Sequence, residues 1–205
     1  MTRAFALGGD GVVLDLPREG DIDALYAACT TPLVHETLNV PWPYERPHAE
    51  GFIREYAPTV WASGVGEVFA VRESADGPML GTLELRRTAP TVGNLGFHLF
   101  EQARGRGLMT RAVALLLDWA FAHGYERITW EAIAGNHASA GVARRLGFTF
   151  DGEAPSSVTS GRHLGRASWL AHLDKAQHGL ELDAHNRPWW PRPGELPEAA
   201  PLPRP

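Results

Sequence analysis

The sequence feature that most constrains the fold is a long apolar helix pattern at 108–124, LMTRAVALLLDWAFAHG. Apolar residues recur at helical spacing through Leu108, Leu115 and Trp119, and they occupy much of the opposite side as well. Such a helix must be largely buried, so other elements have to cover it. Strand-like runs precede it (GNLGFHLF) and follow it (RITWEAIA), which predicts a helix between two strands of one sheet.

The remaining segments add a hairpin before this unit and a helix with strands after it. EVFAVRES, a turn at ADGP and MLGTLELRR have the strand-turn-strand form. Upstream, GVVLDLP is typical of a strand, IDALYAAC of a helix with Asp21 as N-cap, and 47–60 of a second helix. Downstream, ASAGVARRLG predicts a short helix with Gly147 at C′, followed by strands at FTFDG and GRHLGRASWLAHL. The sequence therefore predicts a mixed α/β sheet with layered helices.

We predict one domain over residues 1–176 and a proline-rich C-terminal tail over 177–205. The tail contains NRPWWPRPGELPEAAPLPRP, whose proline density excludes both a helix and a central strand. Two interpretations stay open at this point. The tail is either a disordered extension, or it packs Trp189 and Trp190 on this domain or on a second subunit.

Cysteine content, charge and hydropathy exclude several classes of protein. Cys29 is the single cysteine, so neither an internal disulfide nor a thiolate metal cluster is available, in agreement with a reducing cytosol. The formal net charge of -5 argues against a surface for polyanions, and we predict no nucleic-acid partner. No apolar run has the length of a membrane span or a secretory leader, so we predict a cytoplasmic protein without membrane contact.

Two glycines and three arginines stand in the short loop before the long helix, EQARGRGLMTRA at 101–112. Closely spaced glycines let a backbone approach a ligand, and the helix that follows adds partial positive charge. The loop therefore predicts an anion site. It lacks the Gly-Lys-Ser/Thr ending of P-loop NTPases, and it lacks the GxGxxG order of dinucleotide-binding folds.

The loop and its surroundings resemble the GNAT superfamily of N-acetyltransferases. QARGRG at 102–107 is similar to the Q/R-x-x-G-x-G/A loop of that family. NHASAGVARRLGFTFDG is similar to a later motif of its RimJ/RimL-type branch, N-x-x-S followed by a helix that ends in L-G-F. Asn136, Ser139 and residues 146–148 occupy those positions. The resemblance extends more loosely over about 12–173, and two motifs at family spacing are more specific than either alone.

The resemblance implies acetyl-coenzyme A (acetyl-CoA) as cosubstrate, no metal, and direct transfer of the acetyl group to a primary amine. It also implies the GNAT fold, a mostly antiparallel central sheet with a splayed parallel pair and helices on both faces. The coenzyme pyrophosphate would then lie against backbone N–H groups of the loop, which are those of Arg104, Gly105, Arg106, Gly107, Leu108 and Met109. Whether the two arginine side chains add contacts or point into solvent stays open.

Four further positions follow from the same resemblance. A backbone N–H at Leu99 or Phe100, on the strand that splays from its parallel neighbour, would hold the thioester and stabilise the oxyanion. Asn136 would contact the pantetheine arm, and its alternative role is N-cap of the following helix. Ser139 would lie near the thioester sulfur and protonate the leaving thiolate, directly or through water. A serine in a first helical turn also occurs without any catalytic role.

The proton acceptor for the attacking amine is not fixed by the resemblance. Many members of the branch carry a glutamate where this chain has Asn94, and an amide cannot accept that proton. Glu84 is our first candidate, acting through water, and the alternatives are His98 and His35. His98 alternates with the apolar residues of its strand, so we expect it on the opposite face of the sheet from them.

The acceptor amine is expected between the first helices, the irregular segment HETLNVPWPY and the chain near 153–163. His35, Trp42 and Tyr44 are candidates for the wall of this site, although aromatic residues also serve as loop anchors. The acceptor classes are a protein N-terminus, an amino acid or an amine-bearing small molecule. Transfer of another acyl group such as succinyl, a coenzyme-binding module without turnover, and a homodimer are further hypotheses.

Overall fold

One eight-stranded sheet forms the centre of the protein. The structure is a computed structural model that describes residues 5–159, 161–180 and 190. The strands are β1 (Ala6–Gly9), β2 (Val12–Asp15), β3 (Gly66–Arg72), β4 (Gly81–Ala89), β5 (Val92–Leu99), β6 (Arg127–Ile133), β7 (Thr149–Pro155) and β8 (Ala167–Asp174). Their order is β1-β2-β3-β4-β5-β6-β8-β7, and β5 with β6 is the one parallel pair within the described residues. The predicted mixed sheet is confirmed.

Helices cover both faces of the sheet. They are α1 (Ile22–Cys29), α2 (Pro32–Thr37), α3 (Arg46–Gly51), α4 (Ala57–Ser63), α5 (Leu108–Ala122) and α6 (His137–Arg145). Helices α1 to α3 pack in one core cluster with Ala70, whereas α5 and α6 pack in another with Leu83 and Leu95. Successive strand residues point to opposite faces, so the two clusters lie on opposite sides of the sheet. No helix in the described part of the chain is long and apolar enough to cross a membrane.

Helix α5 is buried as its composition predicts. Eight of its fifteen residues are buried along one broad face, and Leu115 and Trp119 beside that face are partly buried. The eight are Leu108, Met109, Ala112, Val113, Leu116, Leu117, Ala120 and Phe121. The helix lies against β1, β2 and α6. This packing fixes the position of its first turn, and with it the position of the glycine loop that precedes it.

The predicted second helix is interrupted by a π-helical segment. Residues Phe52–Tyr56 widen into a π turn between α3 and α4. Pro58 explains the change, because proline has no N–H to donate to the carbonyl of Arg54 and its ring clashes with that carbonyl. A π turn relieves the clash without ending the helix.

A buried ion cluster joins the sheet to the start of α1. Arg72 is fully buried, and its guanidinium donates to Asp15 (2.7 Å) and to Asp21 (2.8 and 2.6 Å). Asp21 occupies the N-cap position of α1 as predicted, but its side chain makes no cap hydrogen bond. That expectation is corrected, because the Asp21 carboxylate accepts from Arg72 and from the backbone N–H of Arg18 (2.8 Å) instead.

The parallel strands β5 and β6 diverge halfway along their length. They are paired from Val92–Arg127 to Leu95–Trp130, and no pairing joins them afterwards. Beyond that point β5 stays paired only with β4, and β6 only with β8. The two strands therefore open into a V whose backbone edges face each other without hydrogen bonds, which is the splayed pair that the resemblance implied.

Candidate functional site

A cavity of about 500 Å³ occupies the opening between β5 and β6. Its walls come from the end of β5, the loop 104–107, the first turn of α5, helix α6, and helix α2 with the residue that follows it. The lining residues are Leu33, Thr37, Leu38, Phe97, His98, Leu99, Arg104, Gly105, Gly107, Leu108, Met109, Thr110, Asn136, Ala138, Ser139, Val142 and Arg145. The structure thus brings together most of the residues that the sequence assigned to the coenzyme.

The glycine loop presents a row of backbone N–H groups that lack acceptors. Gly105 and Gly107 have φ values of 78° and 69°, the left-handed region that glycine adopts readily. Within the described residues, no acceptor is found for the N–H groups of 105–107. The first three N–H groups of α5, at 108–110, have no partner because a helix cannot satisfy them itself. This array suits an anion such as a diphosphate.

The N–H of Arg104 is not part of this array. It donates to the carbonyl of Glu101 at 3.2 Å, so the predicted backbone contact at 104 is corrected. The side chain of Arg104 does line the cavity, where its Nε donates to the carbonyl of Leu99 at 3.0 Å. Arg106 instead forms an exposed ion pair with Glu73 at 2.9 Å, and its side chain does not line the cavity.

One backbone donor at the end of β5 remains available for the thioester. The N–H of Phe100 donates to the carbonyl of Leu80 at 2.8 Å, so the expectation for Phe100 is corrected. Neighbouring residues of a strand direct their N–H groups to opposite edges. The N–H of Leu99 therefore points away from β4, into the opening where β6 has diverged. The N–H of Leu99 is therefore free to donate to a carbonyl oxygen.

Asn136 and Ser139 form the far wall of the cavity at the start of α6. The Asn136 side chain is the N-cap of this helix and accepts from the backbone N–H of Ser139 at 3.2 Å. The hydroxyl oxygen of Ser139 accepts from the indole Nε1–H of Trp130 at 3.1 Å. An indole nitrogen only donates, so the serine oxygen accepts here and its own proton is left for another acceptor. Sequence reasoning missed Trp130, although a buried tryptophan usually needs such a partner.

His98 borders the cavity as a buried and neutral imidazole. It is 9% exposed, and its Nε2 has no hydrogen-bond partner within the described residues. Burial, and to a smaller extent the Arg104 guanidinium, lower the pKa of His98 to about 4. His98 pairs across the strands with Thr82, on the sheet face opposite Leu83, as alternation predicts. The group can exchange hydrogen bonds with a ligand, but it is a weak base.

Acidification is expected to destabilise the protein through His98. The folded-state pKa lies below the value of about 6.5 in an unfolded chain, so the unfolded state takes up the proton first. The stability contributed by the neutral ring is complete above pH 6.5 and is lost as the pH falls toward 4. The full loss is about 3 kcal/mol, at 1.36 kcal/mol per pKa unit.

Urea unfolding of the wild type and His98→Gln at pH 7 and pH 5 measures the part of the unfolding free energy that depends on protonation of His98. Both proteins share the other titrating groups, so those contributions cancel in the difference between them. We expect the wild type to lose about 2 kcal/mol more than the variant. Equal losses would contradict the burial of a neutral His98.

Glu84, our first candidate for the base, does not line the cavity. Its carboxylate accepts from the hydroxyl of Tyr56 at 2.6 Å and from Arg86 at 2.9 Å, on the part of the sheet that α4 covers. Asn94 donates to the hydroxyl of Thr129 at 3.1 Å within the paired part of β5 and β6. The structure therefore brings neither Glu84 nor a carboxylate at 94 to the thioester position.

The predicted acceptor wall is assembled in part. His35 contacts Arg162 and its ring lies 4.0 Å from that of Trp42, which is 48% exposed. Partial burial and the Arg162 guanidinium lower the pKa of His35. Tyr44 is buried in the core with Cys29, so the expectation that it contacts substrate is corrected. None of the three lines the cavity itself.

Glu131 anchors the loop that meets this wall. Its carboxylate accepts from Ser156 Oγ (2.8 Å), from the backbone N–H of Ser157 (3.0 Å) and from Ser157 Oγ. Burial opposes ionisation of Glu131, but these hydrogen bonds outweigh it and lower its pKa. Farther along the loop, His163 donates to the carbonyl of Glu36 at 3.1 Å, which ties the loop to α2. Sequence reasoning missed Glu131, because its partners are 25 residues away.

The splayed strands, the loop of free N–H groups and the serine on the opposite wall form a site that suits an anionic ligand. Residues 12–149, more than half of the chain, match the acetyltransferase (GNAT) domain family. The protein belongs to this family and is an N-acetyltransferase, as the sequence resemblance implied. No curated protein sequence gives a significant match to the chain.

Solved structures share the fold at low sequence identity. A ribosomal L7/L12 alpha-N-protein acetyltransferase, RimL, in complex with coenzyme A has a TM-score of 0.71 and 17% identity, over 83% of this chain and 98% of its own. A ribosomal-protein-serine acetyltransferase structure from Vibrio cholerae has a TM-score of 0.73 and 19% identity, over 85% and 99%. The microcin C7 self-immunity acetyltransferase MccE, in complex with acetyl-CoA and AMP, has a TM-score of 0.68 and 17% identity, over 81% and 93%.

Proposed function

We propose that the protein transfers the acetyl group of acetyl-CoA to the α-amine of a peptide or protein N-terminus, in preference to a lysine side chain. The observation that carries this choice is the lack of a strong base. None of the described residues that line the cavity is acidic, and the pKa of His98 is about 4. An amine that arrives protonated would find no group here that readily removes its proton.

The difference between the two amines is large at neutral pH. An α-amine with a pKa near 7.8 is about one-third neutral at pH 7.5, whereas a lysine amine near 10.4 is roughly 0.1% neutral. Only the neutral amine attacks the thioester, so the α-amine starts with an advantage of roughly 250-fold. The names of the structural neighbours RimL and the Vibrio cholerae protein are consistent with an acceptor of this class.

The cosubstrate would be held at both ends of the cavity. The N–H groups of 105–110 bind the pyrophosphate, and the cationic side chains of Arg104 and Arg145 also line the cavity. At the other end, the Leu99 N–H donates to the thioester carbonyl, where one preorganised donor stabilises the oxyanion by about 2.7–4 kcal/mol. The apolar side chains of Leu33 on α2 and of Leu38 directly after it also line the cavity.

The chemical step then needs one proton donor and a neutral amine. The amine nitrogen bonds to the carbonyl carbon while the carbon–sulfur bond breaks, and the sulfur takes the hydroxyl proton of Ser139. The serine oxygen recovers a proton from the nitrogen, through water, so no proton is lost or gained overall. Ser139 is placed for this role because its hydroxyl oxygen accepts from the indole N–H of Trp130, and its backbone N–H donates to the side-chain oxygen of Asn136.

A paired-substrate assay tests the proposed acceptor. One peptide has a free α-amine and no lysine, and the other has an acetylated N-terminus and one lysine. Following the free thiol at pH 7.5, we expect kcat/KM to be about 100-fold higher for the first peptide. For that peptide the rate should rise with pH and level off above about 8, as the amine itself titrates.

Three outcomes would contradict the proposal. Equal rates with both peptides would show a base that the cavity does not reveal. No thiol release with either peptide, but release with free amino acids or small amines, would show that the acceptor is a small molecule and not a peptide N-terminus. Faster reaction with succinyl-CoA than with acetyl-CoA, measured in the same assay, would show that the transferred group is succinyl and not acetyl.

A further inference from the structure

Trp190 lies in the predicted tail, yet it is part of the hydrophobic core. The residue is 4% exposed, and its indole Nε1–H donates to the backbone carbonyl of Phe148 at 2.9 Å. Its ring centroid lies 5.4 Å from that of Trp130, edge to face, and 5.3 Å from that of Phe150. The contacts hold the ring of Trp190 in one orientation, because the edge-to-face pair and the directed hydrogen bond both constrain it.

Trp130, the residue that Trp190 packs against, supports the cavity wall. It is 2% exposed on β6, and its ring donates the hydrogen bond that the Ser139 oxygen accepts at 3.1 Å. A continuous path of contacts therefore runs from Phe148 through Trp190 and Trp130 to the hydroxyl of Ser139. Any tilt of the Trp130 ring would move its N–H and rotate the direction in which the serine proton points.

We propose that Trp190 is a positioning residue for acetyl transfer. By packing on Trp130 it fixes the indole N–H that orients Ser139, so that the serine proton points into the cavity toward the sulfur. This inference rests on the proposed function of Ser139. It also assigns a role in the active site to a residue outside the span that matches the family, which ends at residue 149.

The chain offers a matched control in Trp61. That residue also donates from its indole Nε1–H to a backbone carbonyl, Val68 at 2.8 Å, and also packs on aromatic rings, those of Phe5 and Phe69. It lies on α4 and does not line the cavity. Trp61→Ala therefore reproduces the loss of a packed tryptophan without a connection to Ser139.

The first experiment compares steady-state kinetics of Trp190→Ala, Trp61→Ala, Ser139→Ala and the double variant Trp190→Ala/Ser139→Ala. We expect Trp190→Ala to lower kcat roughly tenfold with less than a twofold change in KM for acetyl-CoA. Trp61→Ala should keep the wild-type kcat. In the Ser139→Ala background, removing Trp190 should have no further effect on kcat, because the two changes act through one group.

The second experiment needs no turnover. Thiolate absorbance is followed against pH for coenzyme A bound to each protein. A serine proton directed at the sulfur stabilises the thiolate, so the wild type should form it at lower pH than Ser139→Ala, and Trp190→Ala should titrate like Ser139→Ala.

The outcomes separate this inference from the proposed function. An active wild type whose kcat and thiol titration are unchanged by Trp190→Ala would overturn the inference alone. The same holds if Trp61→Ala lowers kcat as much as Trp190→Ala does, since the effect would then be general loss of packing. A wild type that releases no thiol with any amine, and whose bound thiol titrates as in Ser139→Ala, would overturn both.

Discussion

Replacing Arg72 with methionine is expected to lower the free energy of unfolding by about 3–5 kcal/mol. The side chain is fully buried, and it neutralises Asp21, which is 3% exposed, and Asp15. Methionine fills a similar volume but leaves the Asp21 carboxylate buried without a counter-charge. Breaking a buried pair from one side costs far more than the intact pair contributes, since the remaining charge is neither solvated nor neutralised.

Thermal unfolding measures the effect of Arg72→Met, which should lower Tm by roughly 10 °C in a chain of this length. Arg127→Met is the matched control. Arg127 also donates two guanidinium hydrogen bonds to one aspartate, Asp174. These two side chains are 48% and 35% exposed, so the pair is solvated. Its loss should cost less than about 1 kcal/mol. Similar losses in both variants would contradict the role of burial.

A second variant separates the buried charge from lost packing. Adding Asp21→Leu to Arg72→Met removes the unpaired carboxylate and should recover part of the lost stability. If the double variant recovers no stability, the unpaired carboxylate is not the main cost of Arg72→Met, which then lies in the lost packing of the arginine stem.

This ion cluster also shows where the sequence stops being informative about the fold. The pattern EVFAVRES predicts a strand, and β3 is one, but alternation cannot show that Arg72 is buried between two aspartates 51 and 57 residues away. Strand β1 and helix α2 were missed for another reason. Each has six residues or fewer, too short for a period to be recognised, and tertiary packing determines them.

Elements with a long apolar pattern, or with recognisable residues at both their start and their end, were predicted well. Helix α5 is defined by its length and apolar surface, and α6 by Asn136 at its start and Gly147, with φ of 85°, after its end. The order of strand, glycine loop and helix then determines where the amide array lies. For the same reason this row of free N–H groups could be predicted from local sequence, because one continuous segment builds it.

The chemical end of the site could not be predicted in the same way. The sequence favoured Glu84, on β4, over His98, on β5. In the structure Glu84 accepts a hydrogen bond from Tyr56 away from the cavity, whereas His98 lines it. The supporting residues Trp130 and Trp190 are 60 positions apart in the sequence and read as ordinary core or tail residues. Their relation to Ser139 exists only in three dimensions.

The amide array itself is tested by Gly105→Val, which is expected to weaken coenzyme A binding about 100-fold or more. Gly105 has φ of 78°, a region that β-branched residues avoid, so valine should shift the loop backbone out of it. That shift turns the N–H groups of 105 and 106 away from the pyrophosphate. Each hydrogen bond to a charged group contributes about 1.5–3 kcal/mol, so losing two of them accounts for the expected change.

Isothermal calorimetry with coenzyme A provides the measurement, and Gly64→Val provides the control. Gly64 ends α4 with φ of 69°, and a Cβ at either glycine meets no heavy atom within 4 Å. The two substitutions therefore impose the same backbone strain in equally open surroundings, one beside the cavity and one away from it. Gly64→Val should bind coenzyme A as the wild type does. If Gly105→Val also binds normally while remaining folded, the coenzyme is not held by the loop amides, since strain alone is matched between the two variants.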